Sequence, residues 1–87
     1  MSYRVTLTRK AEKEVALLSN PDYARVSDAI GSLTADPRPA GSRKLKGYED
    51  DWRIKVGKLR ILYSVDDDER LIAVYRVTYR KEAYRGI

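Results

Sequence analysis

The chain contains no cysteine and no histidine. Without cysteine there is no disulfide framework, no thiolate nucleophile and no cysteine metal site, which suits a reducing cytoplasm. Without histidine the usual general base is missing, and with it every Ser-His-Asp or Cys-His arrangement. No apolar run is long enough to span a membrane or to form a signal h-region, so no membrane association is expected. No glycine-rich phosphate loop follows a strand and opens a helix. Internal repeats and low-complexity segments are absent as well. The 87 residues suffice for one modest core, so residues 1–87 read as a single domain.

What the chain has is positive charge, unevenly spread. There are 18 Lys+Arg against 13 Asp+Glu, a net +5. Residues 1–42 carry +1 and residues 43–87 carry +4. Four of the C-terminal half's acids, Asp66, Asp67, Asp68 and Glu69, are consecutive. In a tight turn such side chains splay into solvent, so no metal centre and no cofactor are expected from them. The rest of that half is strongly cationic, which favours a polyanionic partner, most commonly nucleic acid.

The pattern from Trp52 to Tyr63 is the most informative. Trp52, Ile54 and Val56 alternate with Arg53 and Lys55, so one strand face is apolar and the other cationic. Gly57-Lys58 reads as a two-residue turn. Such a turn pairs Val56 with Leu59, Lys55 with Arg60, Ile54 with Ile61 and Arg53 with Leu62. Like charges facing each other cost stability. Arg53 and Lys55 alone read equally well as the solvated side of an antiparallel sheet, but the Lys55/Arg60 pair suits a surface built to hold phosphate.

Elsewhere, Tyr3–Leu7 reads as a strand. Thr8 reads as the cap of a helix over residues 9–19 with the stripe Ala11, Val15 and Leu18. Asn20 reads as the N-cap and Pro21 as the first position of a second helix with the stripe Tyr23, Val26, Ile30 and Leu33, ending near Asp36 because residues before proline avoid helical angles. Lys44–Tyr48, Trp52–Val56, Leu59–Val65 and Leu71–Thr78 follow as strands in meander order. The fold class is therefore α+β: a strand, an αα-hairpin, then a three- or four-stranded antiparallel meander, with the helices on one sheet face and the other open. Trp52, Tyr63 and Tyr75 fall at apolar-alternating positions and read as core. The register of the last hairpin stays open. If Arg60 pairs near Arg76, then Thr78 and Arg80 share the cationic face; a one-residue slip sends Arg76 and Arg80 to the other.

Lys, Arg and Tyr are then the groups left to make a site: Arg53, Lys55, Arg60, Arg76, Arg80, Lys81 and Tyr84. Such a set suits RNA cleavage, because RNA carries its own nucleophile, the 2′-OH, beside the scissile phosphate. Cations stabilise the charge that builds on phosphorus, and a lysine crowded by arginines makes a better base. No metal is required. Arg80 and Tyr84 would share one face of a short terminal helix, although a plain surface pair explains that spacing too.

These residues resemble the RelE/ParE superfamily of bacterial toxins from toxin–antitoxin pairs. The likeness is carried by Tyr3-Arg4-Val5, by Asp36-Pro37-Arg38-Pro39-Ala40-Gly41 before Lys44-Leu45-Lys46-Gly47, and by the stretch from Trp52 to Tyr63. Val65-Asp66-Asp67 and the ending Val77-Thr78-Tyr79-Arg80-Lys81-Glu82-Ala83-Tyr84 complete it. The resemblance spans essentially the whole chain. It implies a RelE-like fold and, in the RelE branch, a ribosome-dependent mRNA endonuclease that cuts A-site codons to a 2′,3′-cyclic phosphate and a 5′-OH.

By position, the likeness implies Lys55 as general base, Arg53 on substrate or phosphate, and Arg60 on the transition-state charge. It implies Arg80 for phosphate stabilisation or leaving-group protonation, and Tyr84 stacked on the nucleotide. Arg43, Lys44, Lys46, Lys58, Arg76 and Lys81 are further candidate RNA contacts. Arg53 stands where some active members carry lysine, which favours charge stabilisation over proton transfer there; Tyr79 stands where many carry histidine. The implied partners are the ribosome with its mRNA and a cognate antitoxin whose acidic or disordered segment wraps the toxin into a hetero-oligomer. ParE-like relatives share the fold and act on DNA gyrase without catalysis, which is the alternative. A catalytically weak toxin that retains only antitoxin binding is a third reading.

Overall fold

Two hydroxyl caps set the helices. Thr8 Oγ1 accepts the Ala11 N–H at 3.2 Å and opens α1, Arg9–Ala16. Ser19 Oγ accepts the Asp22 N–H at 3.3 Å and opens α2, Asn20–Leu33. Each cap satisfies one of the donors that a helix start leaves without an internal partner. Ser19, not Asn20, is therefore the cap of α2, and Pro21 sits within the first turn, where its missing N–H costs nothing. Both helices stop about three residues short of their expected ends at residue 19 and Asp36. In each, i+3 bonds tighten the last turn: Leu17 N–H to the Glu14 carbonyl, and Thr34 N–H to the Gly31 carbonyl.

The computed structural model describes residues 2–47 and 50–79. Its strands are β1 (Arg4–Leu7), β2 (Arg43–Lys44), β3 (Asp51–Val56), β4 (Leu59–Asp66) and β5 (Leu71–Thr78). They form one sheet in the order β1-β5-β4-β3-β2. The meander β2 to β5 is antiparallel, whereas β1 adds to the outer edge of β5 in parallel, from Arg4↔Leu71 to Leu7↔Val74. The helices carry the chain from one edge of the sheet to the other. β2 is shorter than the expected Lys44–Tyr48; Leu45 N–H still bonds the Asp51 carbonyl, and the chain turns at Gly47 with φ +85°. Tyr48 lies outside the described residues.

The core sits between the helices and one sheet face. Ala11, Val26 and Leu33 meet Ile54, Leu59, Ile61, Tyr63, Val65, Ile72, Val74 and Val77, with Val15, Leu18, Ile30 and Trp52 packed around them. Tyr23, near the start of α2, departs from the expected stripe and is 52% exposed. Among the described residues no helix is long and apolar enough to cross a membrane.

The β4–β5 ladder holds a bulge. Tyr63 pairs with Val74 and Leu62 with Arg76, leaving Tyr75 as the extra residue. Val74 and Val77 therefore both face the core, while Tyr75 does not join it. The Tyr75 hydroxyl donates to Asp51 Oδ2 on β3 at 2.9 Å, a reach across β4 over the face opposite the helices. The expectation of a core Tyr75 is thus corrected: Tyr75 alternates with core-facing Val74, and the extra residue breaks its i, i+2 repeat with Val77.

A cationic sheet face as the candidate active site

The β3–β4 hairpin closes through Gly57-Lys58, with Gly57 at φ +61°, the positive value a type II′ turn needs at its first central residue. With that loop length the pairs are Val56↔Leu59, Lys55↔Arg60, Ile54↔Ile61 and Arg53↔Leu62, as the sequence implies. On the outer side Arg43 pairs with Arg53. On the inner side Arg60 pairs with Thr78, and Leu62 with Arg76. Arg60 thus lies two residues further along β5 than an Arg76 partner would place it. The parity is the same, so Thr78 stands on the face of Arg60.

Strand alternation puts Arg43, Arg53, Lys55 and Arg60 together on the face opposite the helices. Lys55 is exposed, while Arg53 and Arg60 are half-buried. Leu62 lies between Arg53 and Arg76 in the ladder and is 0% exposed, although it stands outside the helix-side core cluster. Arg60 is oriented by backbone: its Nη1 donates to the Tyr79 carbonyl at 3.1 Å and to the Lys58 carbonyl at 3.4 Å. Its Nε is buried with no partner among the described residues. Within that same set, none of the four cations is ion-paired with a carboxylate. Carbonyls fix a guanidinium without cancelling its charge, which leaves the face ready for an anion.

A cleft of about 350 Å³ opens at the outer edge of this face, lined by Ala40, Gly41, Arg43, Arg53, Ile54 and Lys55. Its loop wall is held by a network that sequence reasoning missed. Arg38 donates to both carboxylate oxygens of Asp67, at 3.2 and 2.7 Å, and its guanidinium lies 5.2 Å from the centre of the Trp52 ring. Tyr3 Oη donates to Asp67 at 2.6 Å, and Tyr63 Oη to the Pro37 carbonyl at 2.7 Å. The Arg38 hydrogen bonds hold the Asp67 carboxyl below the usual aspartate range, and the bond to Asp67 raises the Tyr3 phenol. Burial pushes the Tyr63 phenol up to about 12. Pro37-Arg38-Pro39 gives no local hint of these partners, because they arrive from the residue ahead of β1, from β3 and β4, and from the β4–β5 turn.

The other candidates fall into groups. Lys44, Lys46 and Lys58 are exposed, but Lys44 pairs with Trp52 and so stands on the helix-side face, away from Arg43 and Arg53. Arg76 is turned toward α1, where its Nε bonds Glu14 Oε2 at 3.0 Å, so it is committed to a carboxylate. Arg80, Lys81 and Tyr84 lie outside the described residues. Tyr79 sends its hydroxyl to Asp22 Oδ2 on α2 at 2.5 Å, which raises its phenol. Asp66 to Glu69 form an exposed turn, and among the described residues no three carboxylates converge as a metal site.

The family described as ParE toxin of type II toxin-antitoxin system, parDE, matches residues 5–84. Toxin RelG of Mycobacterium tuberculosis is 28% identical over 86 residues, spanning 98% of this chain and 99% of RelG. A chain of the archaeal RelE–RelB complex from Pyrococcus horikoshii OT3 is 27% identical with a TM-score of 0.83, covering 93% of this chain and 98% of that one. The isolated E. coli RelE toxin is 25% identical with a TM-score of 0.79, covering 98% and 94%.

Proposed function

The chain belongs to the ParE toxin family of type II toxin–antitoxin systems, and from its likeness to the RelE toxins within that fold we propose that it is a ribosome-dependent mRNA endoribonuclease. The observation that carries this reading is the cross-strand cluster of Arg43, Arg53, Lys55 and Arg60, which lacks a carboxylate partner among the described residues. In the reaction Lys55, in its neutral form, takes the proton from the 2′-OH of the nucleotide before the cut. The 2′-oxygen bonds to phosphorus, and Arg60 and Arg53 balance the charge on the non-bridging oxygens. The bond from phosphorus to the 5′-oxygen breaks, leaving a 2′,3′-cyclic phosphate. Arg80 assists the charge or gives the leaving oxygen its proton, and Tyr84 stacks on the base. DNA lacks the nucleophile and is not cut.

Without histidine the site has no strong base, so the ribosome supplies the rest by bending mRNA toward in-line geometry. Free RNA is then a poor substrate. Action on ribosomes places the protein in the cytoplasm. A RelE relative is held by RelB in its complex; by likeness the partner here is an antitoxin with an acidic segment that covers the cationic face. The matched family is itself named for ParE, which favours one second reading, a gyrase inhibitor without catalysis.

Mapping of mRNA 5′ ends after brief induction, wild type beside Arg60→Ala, separates the two. Cuts inside translated codons that vanish in the variant and when initiation is blocked support the nuclease. Growth arrest with intact mRNA and damaged DNA supports the gyrase inhibitor.

A further inference from the structure

Among the described residues, β1 is the strand on the outer side of β5, and it stops short of that strand's end. β1 pairs with β5 only as far as Leu7↔Val74, and the chain then leaves the sheet at Thr8 to begin α1. From Arg76 to Thr78 the ladder with β4 is the strand pairing that remains. A half-buried backbone donor at such an edge needs a partner. The side chain of Glu14 takes that place: Oε1 accepts the Val77 N–H at 2.8 Å, and Oε2 accepts Arg76 Nε at 3.0 Å. The two side chains are only 24% and 20% exposed, so both charge-assisted bonds are largely shielded from solvent.

Two residues beyond Val77, the Tyr79 carbonyl receives Arg60 Nη1. The one residue between them, Thr78, is the ladder partner of Arg60. We propose that Glu14 is a positioning residue for Arg60. From α1 it clamps Arg76 and Val77, which holds the end of β5 against β4 and keeps the Tyr79 carbonyl on the guanidinium. The clamp also withdraws a cation. Arg76 stands opposite Leu62, diagonal to Arg60; released from Glu14, it competes for the phosphate at a displaced position. The effect on catalysis rests on the nuclease reading, whereas the positioning of Arg60 does not.

The test uses the purified full chain with Glu14→Ala, Glu14→Gln and Arg76→Met, read in two ways. Nitrogen-15 NMR follows solvent exchange of the Arg60 Nη–H protons, the group that bonds the Tyr79 carbonyl, with the Ile61 and Tyr63 amides as the check on folding. Single-turnover cleavage on programmed ribosomes separates the half-saturating ribosome concentration from the rate of the cutting step. In folded Glu14→Ala the Arg60 exchange is expected to quicken about tenfold, the equivalent of one lost hydrogen bond. The cutting step is expected to slow about a hundredfold, as for a reacting group displaced by an ångström, with half-saturation unchanged.

Glu14→Gln keeps an acceptor for Val77 and is expected to recover most of the rate. Arg76→Met keeps the Val77 bond and is expected to stay near wild type in exchange. Should Glu14→Ala not fold, Glu14→Asp, one methylene too short to hold both Val77 and Arg76, decides the matter by the same two readings: quickened exchange and a slowed cutting step are expected, and wild-type values overturn the proposal. Unchanged exchange and rate in folded Glu14→Ala overturn the proposal, as does a loss confined to half-saturation. A wild type that never cuts, with Arg60 exchange still governed by Glu14, supports the positioning role and removes the nuclease reading alone.

Discussion

Lys55 and Arg60 stand directly opposite each other across the β3–β4 ladder, a like-charge pair on the face away from the helices. Such a pair works against folding, so the fold should gain from its removal while the proposed reaction loses its base. Lys55→Glu makes the pair attractive. Its melting temperature is expected to rise by about 2–5 °C at low salt, and by less at high salt. Cleavage on ribosomes is expected to vanish. Thermal melts at two ionic strengths beside a cleavage assay check both.

Trp52 is the chain's single tryptophan and packs beside Arg38, so its fluorescence reports on the loop that walls the cleft. Asp67 is the anchor, with its folded carboxyl lowered by the Arg38 hydrogen bonds. The stabilisation is complete above the unfolded aspartate value of about 3.9 and is lost as pH falls through the lower folded value. An acid titration should therefore show a Trp52 transition below about pH 3.9. In Asp67→Asn that step should be missing.

At the alkaline end the sign reverses. Burial holds the Tyr63 phenol at about 12, against about 10 in the unfolded chain. Between those values the unfolded state gives up a proton that the folded state keeps, so stability falls as pH rises. Tyr3 and Tyr79, also raised, add in the same direction. Tyr63→Phe should flatten this alkaline loss. It should also cost about 1–3 kcal/mol near neutrality, because the Pro37 carbonyl loses its donor. Urea unfolding measured across pH tests both statements.

Tyr79 meets Arg60 through its backbone carbonyl, whereas its phenol points to Asp22. Tyr79→Phe should therefore leave cleavage within about threefold of wild type, the scale of one exposed hydrogen bond. A loss of several orders of magnitude would instead make the phenol a participant in the reaction.

The hairpin was legible because a two-residue turn leaves one register and strict alternation leaves one choice of faces. The cationic cluster of Arg53, Lys55 and Arg60 follows from those two facts alone. Tyr75 was not legible, because a bulge breaks the i, i+2 repeat without changing composition. Nor was the parallel seat of β1 beside β5, which the helical crossover decides. The grips of Arg38 on Asp67 and of Glu14 on Arg76 join residues far apart in the chain, and local pattern says nothing about such pairs. Ser19 was within reach: a hydroxyl ahead of Asn-Pro is as good a cap as the asparagine itself.

The most direct test of the central claim replaces one ribose. Ribosomes are programmed with an mRNA carrying a single 2′-deoxynucleotide immediately 5′ of the scissile phosphate, and the toxin is added. Loss of that cut alone, with neighbouring ribonucleotide sites still cut to 2′,3′-cyclic phosphate ends, is the expected result. Continued cutting at the deoxy position, or no cutting of the all-ribose mRNA, would contradict it.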